Sequence, residues 1–103
     1  MKDFFIEQCS SFDNQTVTTS FVVAAKQIKS KKNSGEPYLD LLLADRTGQI
    51  AAKMWDNVGE VLESFEQDDF VKIRGLINRY NGRFQLTVHK LRRMDEAEIE
   101  FSD

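Results

Sequence analysis

Two aromatic residues, Tyr38 and Trp55, bracket a leucine-rich run, with Lys53 two residues before the second of them. Basic residues gather on both sides: Lys29, Lys31 and Lys32 upstream, then Arg74, Arg79 and Arg83, with Tyr80 among the last three. Together these types do one kind of chemistry. An unpaired base stacks on Tyr or Trp for about 1–3 kcal/mol, while Lys and Arg neutralise the phosphates between bases. Each residue also has a plainer reading. Trp55 could seal a barrel end, Tyr80 could pack a hairpin, and the three loop lysines could be solvated. Asp40 would lie within the same face, where it could accept a hydrogen bond from a base edge or repel phosphate.

The chemistry that is absent narrows the field. Cys9 is the only cysteine and His89 the only histidine, too few for a zinc site or a histidine-dependent catalytic triad. Cys9 reads as a small half-buried hydrophobe near a chain end, and His89 as a surface residue. No cofactor and no catalytic residue is expected within these 103 residues, 41% of them hydrophobic and 30% charged. No apolar run approaches the roughly 20 residues of a membrane span, and the opening Phe4-Phe5-Ile6 is cut by Glu7, unlike a secretory leader. A cytoplasmic location and no membrane partner are therefore expected.

The net charge of −3 by itself disfavours a polyanionic ligand, but charge is sorted along the chain. Residues 70–93 hold seven basic residues (Lys72, Arg74, Arg79, Arg83, Lys90, Arg92, Arg93) and no acid. Residues 56–69 hold six acids and no base, and residues 94–103 hold five acids. Folding can turn such sorting into a basic face and an acidic one. Arg92 and Arg93 could instead pair with the acids of the tail.

The elements that must position these residues follow from periodicity. Residues 1–15 read as a lead-in, with Phe4, Phe5 or Phe12 tucked against the domain. Thr16 to Ile28 is rich in Val, Thr and Phe and long enough for a curved strand serving both sides of a barrel. The polar segment from Lys29 to Pro37 is a loop. Tyr38 to Ala44 alternates, with Leu39, Leu41 and Leu43 inward and Tyr38, Asp40 and Leu42 outward. Asp45-Arg46-Thr47-Gly48 is a turn, with Gly48 free to take positive φ. Gln49 to Trp55 places Ile50, Ala52 and Met54 inward and Ala51, Lys53 and Trp55 outward. Asp56 can cap an amphipathic helix of about ten residues, with Val58, Val61, Leu62 and Phe65 on one face. Phe70 to Arg79 puts Val71, Ile73, Gly75 and Ile77 inward, and Asn81-Gly82 signals a tight hairpin into a last strand with Phe84, Leu86 and Val88 inward.

The order β-β-β-α-β-β predicts an all-β domain with one short helix, a five-stranded OB-fold barrel over residues 16–93, followed by an acidic linker or tail over 94–103. An SH3-like barrel is the rival, and it usually lacks a helix at this point. In an OB fold, ligands cross the outer face of strands two and three, flanked by the first loop and the last hairpin. The expected nucleic-acid-binding set is thus Lys29, Lys31, Lys32, Tyr38, Lys53, Trp55, Arg74, Arg79, Tyr80 and Arg83. Single-stranded RNA is the first expected partner and single-stranded DNA the second. A protein-interaction or self-association module, using exposed apolar residues such as Leu42, Leu76 and Trp55, is the alternative.

The run from Gly35 to Ile50, the Met54-Trp55-Asp56-Asn57 junction, Val71-Lys72-Ile73-Arg74-Gly75 and the stretch from Tyr80 to Leu86 carry a resemblance. Across residues 17–91 the chain resembles the N-terminal OB domain of YhaM-type bacterial 3′-to-5′ exoribonucleases. The Asp-x-Thr-Gly turn is shared by many OB families, and the junction and hairpin are the more specific parts. The resemblance implies an accessory domain that feeds single-stranded RNA to a C-terminal HD-type hydrolase domain, where any divalent metal would reside. The His-Asp motifs of that catalytic domain have no match here, so no catalytic role carries over. On this reading the chain is a non-enzymatic domain of a longer hydrolase.

Overall fold

The computed structural model describes residues 5–95. Five strands, β1 (Thr16–Ser30), β2 (Pro37–Asp45), β3 (Gly48–Met54), β4 (Phe70–Tyr80) and β5 (Arg83–Arg93), close into a barrel in the order β1-β2-β3-β5-β4. Helix α1 (Val58–Val61) lies between β3 and β4 in the chain. Both faces of the β2–β3 hairpin fall as the alternation requires, with Leu39, Leu41, Leu43, Ile50, Ala52 and Met54 all buried. Strand β1 serves two neighbours: residues 16–22 pair with β4 and residues 22–30 with β2. A bulge between Val23 and Ala25 marks the changeover, and the Val23 backbone there exchanges hydrogen bonds with Asp68 and Asp69 instead. Closure comes from a parallel pairing of β3 with β5, Ala51 to Gln85 through Lys53 to Thr87.

Asn81 and Gly82 both take positive φ (53° and 77°), the left-handed pair that a tight hairpin turn demands. Gly75 is needed for space rather than for φ. A Cβ there would meet the Thr87 carbonyl oxygen at 2.6 Å and the Leu86 side chain at 3.0 Å. Gly75→Ala should therefore destabilise the domain by about 2 kcal/mol, measurable as a lowered urea midpoint, and a midpoint within error of the wild type would contradict this account.

Three expectations are corrected. Gly48 does not use positive φ; the turn is held by Asp45, whose carboxylate accepts from the Thr47 amide (2.8 Å) and hydroxyl. The helix is four residues long instead of about ten, and its N-cap is Asn57 at φ 58°, with no capping bond from a side chain. The ladder stops because its later groups bond elsewhere. The Ser64 hydroxyl takes the Val61 carbonyl, Lys26 takes the Leu62 and Phe65 carbonyls, and the Glu66 amide donates to Asp69. Val58 and Phe65 still reach the core.

The third correction is Cys9, within the lead-in; of the phenylalanines expected to tuck against the domain, Phe12 does so and Phe4 lies outside the described residues. Residues Ile6–Ser11 form a 3₁₀ helix that packs Ile6 and Cys9 against the barrel, with Phe12 following. The other Asp45 carboxylate oxygen accepts from the Ile6 amide at 2.8 Å, which pins this segment to the β2–β3 turn. Cys9 is 4% exposed, not half-buried. Its burial, and secondarily the Asp45 charge, push its thiol above the ordinary value. A raised folded pKa stabilises the fold fully below the unfolded thiol's pKa and is lost as pH rises through the folded value. Iodoacetamide should accordingly alkylate Cys9 far more slowly in the native domain than in urea at pH 8, and equal rates would refute its burial.

Candidate nucleic-acid interface

The outer face of the barrel is built rung by rung from pairings. Tyr38 lies opposite Lys29 on β1, and Asp40 lies opposite Lys53 on β3. Lys53 in turn faces Thr87 on β5, which faces Leu76 on β4. The next rung runs Leu42, Ala51, Gln85, Asn78. At the open end of β3, Trp55 stacks on Tyr38 with ring centroids 4.4 Å apart and planes inclined by 28°. Trp55 is 38% exposed, so it faces outward and does not seal the core. Lys53 Nζ sits 5.8 Å from the Trp55 ring, at the outer reach of a cation–π contact.

Asp40 is not left facing a ligand alone, because Lys29 Nζ lies 2.7 Å from its carboxylate. That hydrogen bond, with the attraction of the same charge, holds the Lys29 ammonium above its usual range. Lys31 is half-buried, 4.0 Å from Glu36, and its backbone closes the first loop through Glu36 and Gly35. Lys32 projects from the same loop, exposed. At the far end of the face, a depression of about 740 Å³ runs between the β4–β5 hairpin and β3, with Leu42, Ala51, Gln85, Tyr80 and Arg83 in its walls. Tyr80 is 62% exposed there, so it does not act as hairpin packing.

The structure thus brings Lys29, Tyr38, Lys53 and Trp55 together at one end, near the loop that carries Lys31 and Lys32, and puts Tyr80 and Arg83 at the other. Two of the ten expected residues lie elsewhere. Arg79 has the strand parity of the inward residues and pairs with Asp13 at 3.2 Å while lying over the Phe84 ring at 4.8 Å. Arg74 points outward into a separate groove with Lys72, His89 and Lys90. Gln85, Thr87 and Asn78 belong to the face and were not anticipated, since only the β3–β5 closure brings them there. Among the described residues, no three His, Cys, Asp or Glu side chains converge as metal ligands would.

A closed five-stranded barrel with a helix between its third and fourth strands, and an aromatic and basic outer face on β2 and β3, defines an OB-fold protein. The family model described as "OB-fold nucleic acid binding domain" matches residues 22–94, and the chain belongs to that family. Solved structures agree in fold. One is the second OB-fold domain of replication protein A from Methanococcus maripaludis, with TM-score 0.60, 19% identity, 82% of this chain and 88% of that one covered. Asparaginyl-tRNA synthetase from Pyrococcus horikoshii matches with TM-score 0.70 and 19% identity over 92% of this chain, but only 24% of the synthetase. The single-stranded DNA binding protein from Thermus aquaticus gives 0.65 and 16%, covering 79% of this chain and 40% of its own. The chain therefore spans well under half of the last two proteins.

Proposed function

We propose that this domain binds single-stranded nucleic acid across the outer face of β2 and β3, RNA in preference to DNA, and presents the strand to a 3′-to-5′ exoribonuclease domain of the HD type. The observation that carries the binding is the Tyr38–Trp55 stack, outward-facing and beside Lys29 and Lys53. Bases continue that stack while Lys53, Lys32 and Arg83 meet phosphates along the path to Tyr80. Family membership supports nucleic acid as the ligand, and the solved relatives include a replication protein A domain and a single-stranded DNA binding protein. The exoribonuclease context rests on the resemblance of the junction after β3 and of the last hairpin.

The test is a titration of the domain with a fluorescein-labelled single-stranded RNA, the matching DNA and a duplex, read by polarisation at several salt concentrations. Single strands should bind more tightly than duplex, RNA most tightly, with affinity falling as salt rises. Arg79→Ala should leave affinity unchanged, because that side chain is committed to Asp13 and Phe84. No binding of either single strand at low salt would overturn the reading.

A further inference from the structure

The basic block of β4 and β5 contributes little to the β2–β3 face. Most of it lines a second groove of about 660 Å³, bounded by α1 on one side and floored by Ile73 and Leu91. Two rungs of the β4–β5 ladder, Lys72 opposite Arg92 and Arg74 opposite Lys90, place cation against cation. Such residues sit about 5 Å apart across the strands and about 7 Å apart along them, well within a Debye length. Like charges directly opposite weaken a sheet. Among the described residues, Lys72, Arg74 and Lys90 have no ion-pair partner. A carboxylate, Glu60, is present in the wall opposite.

A bulge concentrates the charge further. Between the pairs Arg74–Lys90 and Gly75–Val88, β5 carries the additional residue His89. The extra residue breaks the alternation, so that His89 and Lys90 are both exposed, and both line the groove. Bulges commonly re-aim a side chain in this way. The groove also begins near the aromatic stack in the strand register. Trp55 and His89 each lie two residues beyond the Lys53–Thr87 pair, and Met54 and Asn57, on either side of Trp55, form part of the groove wall.

We infer that this groove is a second phosphate site, in which Lys72, Arg74, Lys90 and His89 hold the backbone of a strand that has passed the Tyr38–Trp55 stack. The inference rests on the proposed single-strand binding. It makes the footprint turn around the barrel end toward α1, in addition to running along β2 and β3 to the hairpin. The ligand chemistry is a phosphodiester, and a short run of them, since three cations are spread over two strands.

The experiment compares the full chain with Lys72→Ala/Arg74→Ala/Lys90→Ala, using a 4-nucleotide and a 12-nucleotide single-stranded RNA at several salt concentrations. The triple variant should lose on the order of 100-fold in affinity for the 12-mer at 0.1 M salt, with its salt slope reduced by about 2, at roughly 0.7 per phosphate contact. The 4-mer, satisfied by the aromatic stack, should bind the variant as it binds the wild type. Equal losses for both lengths, or none for the 12-mer, would overturn the inference while leaving the single-strand reading intact. Failure of wild type to bind either RNA would sink both. Amide shifts of the wild type supply a second readout independent of any variant. Residues 72, 74, 89 and 90 should move with the 12-mer and not with the 4-mer. Inorganic phosphate should reproduce only a small part of that shift, and a full shift with phosphate alone, or with polyglutamate, would refute a nucleic-acid backbone as the occupant.

Discussion

Lys26→Met should destabilise the domain by about 3 kcal/mol, seen as a lowered urea midpoint with an unchanged m-value. Lys26 Nζ lies 2.6 Å from both the Leu62 and Phe65 carbonyl oxygens, 3.3 Å from Glu66, and 4.3 Å from the centre of the Phe65 ring. Its side chain is only 8% exposed. Methionine keeps the bulk of the stem and removes every donor, so two backbone acceptors lose a charge-assisted partner in a place water reaches poorly. The Glu66 contact adds little, because that carboxylate is 76% exposed and exposed ion pairs contribute about 0–1 kcal/mol. Glu66→Gln is thus the control. Equal losses for the two variants would show that Lys26 acts only as a surface charge, and the account of why α1 is short would go with it.

Lys26 also shows where sequence reasoning runs out. The faces of β2 and β3 were legible because Leu39, Leu41, Leu43, Ile50, Ala52 and Met54 repeat at period two, and nothing distant competes with that pattern. Asn81-Gly82 was legible because positive φ at two successive positions is a local steric requirement. The length of α1 was not legible. Its apolar spacing is helical, but the Leu62 carbonyl is taken by a lysine 36 residues away. The same holds for Arg79, whose partner Asp13 comes from the lead-in, and for Gln85 and Thr87, which reach the outer face only through the parallel β3–β5 closure. His89 is exposed as its place in the alternation requires, but the bulge there turns Lys90 outward as well, and a bulge leaves no mark in residue type. What locality determines could be read; what the barrel's long-range closure determines had to be seen.

The ligand face yields the other large effect. Tyr38→Ala and Trp55→Ala should each weaken single-stranded RNA binding by about 1–3 kcal/mol, roughly 5- to 150-fold in Kd. Because the rings stack on each other at 4.4 Å, neither is an independent platform. Removing Tyr38 leaves Trp55 without the neighbour that sets its tilt, and removing Trp55 exposes Tyr38 at the strand end. The double variant should therefore lose less than the sum of the two single losses, by about 0.5–1 kcal/mol. Polarisation with a labelled strand measures all four proteins without relying on Trp55 as reporter. Strict additivity would mean that the two rings contact separate bases and that the stack opens on binding. No loss in either single variant would move the binding surface away from β2 and β3 altogether. A tenfold loss carried equally by Lys53→Ala, with its salt slope reduced but its affinity at high salt unchanged, would identify the face as electrostatic instead of aromatic. The aromatic reading requires the opposite pattern: a loss at Tyr38 and Trp55 that persists at high salt, because stacking is not screened by ions while phosphate contacts are.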